Sequence, residues 1–281
     1  MKWFFALNEK GNEFDNYAKM LKVAVYTAQK FTSLKPYFLY DGEENDLTEW
    51  LRTRHVEIIR RRSFLYDELQ KIADDRRDQN FLAIGAGAFL RTEIPRITEE
   101  LKINDRYVLY TDVDVMFMSE VEDLKNMRPK YFAVAPEYHI KKYRAMNTGV
   151  MIMNLENLRS NDVEFRRFMM KKIKKLVDKR WDQGAYQIFY KNLFNFKWDK
   201  LPVEYNWKTY WKENSQAKII HFHGPKPYQK ELLFSPNPPE HLKPLLVFIT
   251  PNYAKLSRLW NEFYEAAISE EKVFTNFQTN L

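Results

Sequence analysis

The stretch that most constrains this chain is Tyr107-Val108-Leu109-Tyr110-Thr111-Asp112-Val113-Asp114-Val115-Met116-Phe117-Met118. Its first four residues are apolar and β-favouring, as expected of a strand covered on both faces in an α/β sheet. Two aspartates follow at the C-terminal edge, where open α/β sheets bind their ligands. Residues i and i+2 of a strand share one side, so the two carboxylates are expected to converge on one cation. Buried together without a partner they would be prohibitively costly, so a metal or a strong hydrogen-bond network belongs between them. The competing reading has the pair capping turns or pairing with Arg106.

The elements around this stretch predict the sheet it belongs to. Lys2–Asn8 reads as a first strand, 16–31 as an amphipathic helix, and Pro36–Tyr40 as a second strand stopped by Asp41-Gly42. A helix over 47–54 and a strand over 56–59 complete a β-α-β-α-β opening, the mark of a parallel, nucleotide-binding type of sheet. A charged excursion over 60–80 carries a short helix at 65–72, and 81–97 reads as one helix with Arg91 inside it. Further strands are expected at 131–135, 149–154 and 217–222, and a long basic helix at 163–180. Asp182 is expected to N-cap the next helix. A Pro-rich tail ends in an amphipathic helix over 253–268.

Composition narrows the class. The 281 residues suffice for one large α/β domain with an appendage, and 45% hydrophobic residues indicate a globular chain. The absence of cysteine excludes disulfides and thiolate metal sites and agrees with a reducing compartment. The apolar run Trp3–Leu7 is too short for a signal peptide or an anchor, so a cytoplasmic location is expected. A net charge of +7 favours nucleic acid, anionic lipid or a phosphate-bearing substrate. The basic helix (eight basic residues and one acid over 166–180) is read as a solvated face over a core of Phe168, Met169, Ile173, Leu176 and Val177. A sharper reading is peripheral docking on an anionic membrane or a charged glycan. No nucleic-acid partner is expected, because the aromatic residues sit in apolar strands and amphipathic helices rather than on a basic groove.

Two carboxylates offer hard oxygen ligands suited to Mn²⁺ or Mg²⁺, and one imidazole would favour Mn²⁺. His221 and His223 both stand at the end of the late strand. Gly224 lets the backbone approach a ligand, and Lys226 supplies a point charge for phosphate.

At these positions the chain resembles glycosyltransferase family 8, the metal-dependent retaining nucleotide-sugar transferases. The matching pieces, in family order, are 87–97 around Arg91, 108–117, Met146–Met151, Trp181–Ala185, Leu201–Trp207 and His221–Pro227. The resemblance implies a GT-A type fold over residues 1–230, a Rossmann-like, mostly parallel sheet flanked by helices, with 231–281 as its C-terminal helical cover. It implies that Asp112, Asp114 and His221 bind the metal, manganese with magnesium as the alternative, and that the metal binds the donor diphosphate. Ala6, Leu7 and Asn8 would line a uridine pocket, and Arg91, Gly224 and Lys226 would lie along the diphosphate. Asn147, Asp182 and Gln183 would surround the sugar, with Gln183 near the anomeric carbon and Glu137 facing sugar or acceptor. One departure is a single Pro225 between Gly224 and Lys226, where the family has two residues; His223 therefore stays beside His221 as a ligand choice. The implied activity is retaining transfer of a hexose, glucose or galactose, from a UDP-sugar to a hydroxyl of a glycan or glycolipid.

Two other readings compete. A haloacid-dehalogenase-type phosphatase also uses a strand followed by Asp-x-Asp, but there the motif closes the first strand, and here Met116 replaces the expected Thr or Val. A basic nucleic-acid-binding module is the non-enzymatic alternative.

Overall fold

The computed structural model of the protein describes residues 1–191 and 197–278, without the side chains of 270–278. Ten strands follow in chain order among the described residues: β1 (Lys2–Asn8), β2 (Lys35–Asp41), β3 (Glu57–Arg60), β4 (Tyr107–Thr111), β5 (Val115–Phe117), β6 (Phe132–Pro136), β7 (Met146–Asn154), β8 (Asp199–Lys200), β9 (Trp207–Lys208) and β10 (Ile219–His221). They divide between two units.

The first unit comprises Met1–Phe14, Leu34–Asp112 and Glu122–Pro202. It holds a seven-stranded sheet in the order β3-β2-β1-β4-β7-β6-β8. The pairs β1/β2, β2/β3, β1/β4 and β6/β8 are parallel, whereas β7 runs antiparallel to both β4 and β6. Strand order steps outward from β1 to β2 and returns to β4 on the other side. The carboxyl ends of β1 and β4 therefore flank a topological switch point, the place where such sheets open a crevice. All nine residues of β7 are buried, which explains its continuous apolar run rather than an alternating one.

Helices cover this sheet through one core in which Phe4, Val108, Val134 and Met151 meet Leu82, Phe89, Ile97, Met169 and Ile173. The basic helix, Asp162–Val177, buries Phe165, Met169, Ile173, Leu176 and Val177 and exposes its lysines. The solvated-face reading describes it, with Phe168 only partly buried. The region 81–97 is not one helix. A helix over Gln79–Phe89 passes into a 3₁₀ turn at Leu90–Glu93 and a new helix at Ile94–Glu100. Pro95 lies in the first turn of that second helix, where its missing N–H has no partner to lose. The break changes the direction in which Arg91 points.

The second unit comprises Asp15–Ser33, Val113–Val121 and Val203–Leu281. Its sheet is β5-β10-β9, with β5 antiparallel and β9 parallel to the central β10. The helix Phe14–Phe31 and the helix Pro251–Gln278 contribute Met20, Val23, Tyr253, Leu256 and Trp260 to one core with Met116, Ile220 and Phe222. The last three residues of the expected 231–281 cover lie outside the described residues. Among the described residues no helix is long and apolar enough to cross a membrane.

Candidate active site

β4 stops at Thr111, and Asp112-Val113-Asp114 is a bend leading to β5 in a different sheet. The expectation that strand alternation places both carboxylates on one side is therefore corrected. Two separate backbone anchors place them instead. Asp112 N–H donates to Gly149 O at 2.8 Å, extending the β4/β7 ladder, and Phe222 N–H donates to Asp114 O at 2.9 Å, extending β5/β10. The two aspartates are neighbours along the chain, and the β5/β10 register sets His221 opposite Val115. One oxygen from each carboxylate and a ring nitrogen of His221 lie within 4.8 Å of one another, close enough to share a cation.

In the second unit, His221 Nε2 lies 3.2 Å from Asp114 Oδ1, and both side chains are buried. Asp114 Oδ1 is sealed from solvent and accepts no aligned hydrogen bond. His221 Nδ1 lies 2.9 Å from Asn206 Oδ1. Donating Nδ1–H to Asn206 turns Nε2 toward the carboxylate, where a divalent cation would take the place of a proton. Hard oxygens with one imidazole fit such an ion. Lys226 Nζ donates to the other oxygen of Asp114 at 2.5 Å and to Phe222 O at 2.9 Å. Burial opposes ionisation of Asp114, but the charges of Lys226 and His221 outweigh it and hold the carboxyl well below the usual range. His223 instead meets Tyr210 Oη at 3.0 Å. Burial, reinforced by the charges of Lys208, His221 and Lys226, lowers its pKa to about 2 and keeps it neutral. Gly224 adopts φ +95°, a left-handed conformation that favours glycine and turns the chain back toward Lys226.

In the first unit, Arg91 is the hub. From its 3₁₀ turn the buried guanidinium donates to Asp112 Oδ1 at 2.7 Å and to Thr148 O, and its Nε lies 2.8 Å from Asp182 Oδ2. It also stacks 4.5 Å above the Tyr110 ring. Burial disfavours its charge, yet Asp112 and Asp182 outweigh that and raise its pKa. Asp182 is not the expected N-cap: Arg180 takes the cap position, and Asp182 points inward from the first turn of helix Trp181–Phe189. Burial, assisted by the charge of Asp112 and opposed by Arg91, raises its pKa to about 6.

Gln183 is fixed at both ends. Its Oε1 accepts from Thr148 N–H at 3.1 Å and from Asn147 Nδ2 at 3.3 Å, and its Nε2 donates to Glu137 Oε1 at 3.0 Å. The other oxygen of Glu137 accepts from Arg180 Nη1 at 2.9 Å. Ala6, Leu7 and Asn8 end β1 at the switch point. Asn8 donates to Ala83 O, and a Cβ at Gly87 would stand 2.9 Å from its side-chain nitrogen, so a side chain there would push Asn8 from its place.

Sequence reasoning missed Asn206, Lys208, Thr148 and Arg180. Asn206 was within reach, in the Leu201–Trp207 piece. Lys208 carries no local signal: a lysine ending a two-residue strand reads as solvated, yet its side chain is wholly buried, with Nζ at Asn206 Oδ1 and 3.1 Å from His221 Nδ1.

A search of curated protein sequences finds no match. Among solved structures, the glycosyltransferase GlyE of Streptococcus pneumoniae TIGR4 superposes with a TM-score of 0.61 at 14% identity, covering 96% of this chain and 63% of that one. This chain thus spans less than two thirds of the length of GlyE. The galactosyltransferase LgtC, in complex with donor and acceptor sugar analogues, matches with a TM-score of 0.59 at 15% identity over 95% of this chain and 96% of that one. Mouse xyloside xylosyltransferase 1 matches with a TM-score of 0.52 at 15% identity over 79% of this chain and 97% of that one. These likenesses concern the fold, which is of the GT-A type. The sequence model described as "Glycosyl transferase family 8" matches residues 14–231, most of the chain. The chain belongs to glycosyltransferase family 8.

Proposed function

We propose that this glycosyltransferase moves a hexose, glucose or galactose, from a UDP-sugar to a hydroxyl of a glycan or glycolipid acceptor, with retention of anomeric configuration. The observation that carries this reading is the convergence of Asp112, Asp114 and His221 within 4.8 Å. Mn²⁺, with Mg²⁺ as the alternative, would be held by these three residues. When bound, such an ion stabilises negative charge on the departing diphosphate.

The chain's own residues do the rest. Ala6, Leu7 and Asn8 receive the uridine at the β1 end of the crevice. Lys226, already drawn to Asp114, neutralises the leaving phosphate, and Gly224 lets the backbone come near it. Arg91 acts by holding Asp112 and Asp182 in place beside the donor. Asn147, Asp182 and Glu137 bind sugar hydroxyls, and Gln183 stands beside the anomeric carbon. An amide carbonyl is a poor nucleophile and cannot act as a base. The bond from the anomeric carbon to the phosphate oxygen therefore breaks as the acceptor oxygen attacks the same face. The acceptor proton passes to the departing phosphate.

Residues 1–230 form the glycosyltransferase domain in this reading, with 231–281 as its cover. A cytoplasmic location, with peripheral contact to an anionic membrane, belongs to the proposal and is supported by the absence of cysteine and by the exposed lysines of the basic helix. Family membership removes the grounds for the phosphatase and nucleic-acid readings.

A Mn²⁺-dependent hydrolysis screen over UDP-, GDP- and CDP-sugars tests the donor, with UDP-glucose or UDP-galactose expected to turn over. Proton NMR of the first glycoside formed tests the stereochemistry. An α-linked product from an α-linked donor is expected; a β product overturns retention and makes Glu137 or Asp182 the base to examine.

A further inference from the structure

The loop between β6 and β7, Glu137–Ala145, carries Lys141, Lys142 and Arg144 within four residues. In the first unit this loop, Arg180 and Lys200 line a cavity of about 630 Å³ with five cations and no carboxylate. The loop is pinned rather than loose. Glu137 N–H donates to Ala145 O at 2.8 Å, and Tyr143 Oη donates to Leu201 O at 2.9 Å. Trp198 Nε1 donates to Tyr143 O and Gln187 Nε2 to Arg144 O, each at 3.1 Å.

Elsewhere in this unit buried or half-buried cations are matched: Arg61 and Arg166 both pair with Glu93. Lys141, Lys142, Arg144 and Lys200 are instead exposed and, among the described residues, stand in no ion pair. Five exposed cations around one cavity, only Arg180 of them facing a carboxylate, concentrate positive potential there and attract an anion. The cavity also reaches the proposed chemistry through two hydrogen bonds. Arg180 donates to Glu137, and Glu137 accepts from Gln183.

We infer that this cavity is an acceptor subsite for a sugar carrying an anionic group, a phosphate ester or a carboxylate. The inference rests on the reading above, in which Gln183 stands at the transfer site. The acidic group docks on Lys141, Lys142 and Arg144 while the sugar to be extended lies toward Glu137 and Gln183. A concave wall of convergent cations suits one compact anion better than a flat lipid surface.

Calorimetric titration of the full chain, with the donor site filled by UDP and Mn²⁺, tests this with glucose 6-phosphate, glucuronate and glucose. At least one of the two acidic sugars is expected to bind ten times more tightly than glucose, and the tighter one names the anion. The pair Lys142→Glu and Arg144→Glu should weaken that binding at least tenfold. The pair Lys171→Glu and Lys175→Glu, equal in charge and on the exposed face of the basic helix, should change it less than twofold. Equal binding of acidic and neutral sugars overturns the inference, as does an equal loss in both variants. If the loop variant loses binding to phosphatidylglycerol vesicles but keeps glucose 6-phosphate, the surface is a membrane contact and the inference fails. The preceding UDP titration separates the two layers: no UDP binding sinks the donor reading, whereas UDP binding without acidic-sugar preference sinks only the subsite.

Discussion

Two buried carboxylates of this protein behave in opposite ways. Asp114 and Asp182 are each shielded from solvent, and each has a cationic nitrogen within 3 Å, Lys226 for the first and Arg91 for the second. Asp114 is held well below the usual range, while Asp182 is pushed up to about 6. The difference is one of counting. Asp114 is flanked by two cationic groups, Lys226 and His221, whereas Asp182 and Asp112 both face the guanidinium of Arg91. Around Asp114 positive charge is in excess, as the proposed binding of a donor diphosphate requires. Around Arg91 two carboxylates face one guanidinium. Distance to the nearest cation does not decide a buried acid's state; the ratio of partners does.

The largest test is of the carboxylate with two partners. Asp114→Asn should reduce transfer at least about a thousandfold, roughly 4 kcal/mol, because it removes a proposed metal ligand next to the leaving group. Circular dichroism should show the fold retained. Near wild-type turnover with Mn²⁺ would break the metal assignment.

Next is the shared partner. Arg91→Met leaves Asp112 and Asp182 without their cation and should cost about 3–5 kcal/mol in denaturant unfolding. Lys226→Met should cost clearly less, since Asp114 keeps His221. Equal losses would erase the contrast between the two regions.

A smaller effect separates binding from stability. Lys226→Met should weaken donor binding by about 1.5–3 kcal/mol, roughly ten- to hundredfold. Arg91→Lys, which keeps the charge and loses the fork, should disturb donor affinity less. The reverse order would reassign the diphosphate contact to Arg91.

The finest test is titration. In chelated protein, carbon NMR should give Asp182 a midpoint near 6, above the ordinary 3.8. A raised carboxyl contributes stability that is complete below the unfolded value and lost as pH rises through the folded one. Measured against Asp182→Asn, the wild type should therefore lose relative stability between about pH 4 and 6. An ordinary midpoint would mean that Arg91 offsets the burial of Asp182 in full, and the contrast with Asp114 would shrink.

Much of the frame was legible in local pattern. β1 was read with its bounds, Lys2–Asn8, because its apolar run is bounded by polar residues. β2 and β4 were found for the same reason, and the Asp-x-Asp was conspicuous at the end of β4. Less legible was anything that depends on where a helix changes direction. Periodicity runs unbroken through residues 81–97, and only packing reveals the 3₁₀ turn that aims Arg91 at two acids.

The sequence by itself determined the β-α-β-α-β opening, the carboxylate pair and the strand-end histidines, because each rests on local spacing and residue chemistry, whereas Gln183 entered only through the family resemblance. Tertiary structure alone decided that Asp112 and Asp114 hang from two different sheets, and that His221 rather than His223 meets Asp114. It also turned Asp182 inward instead of capping, buried Lys208 behind His221, and gathered Lys141, Lys142, Arg144, Arg180 and Lys200 around one cavity. Those outcomes depend on contacts between residues far apart in the chain, and no local period or propensity encodes which distant charges will be desolvated together.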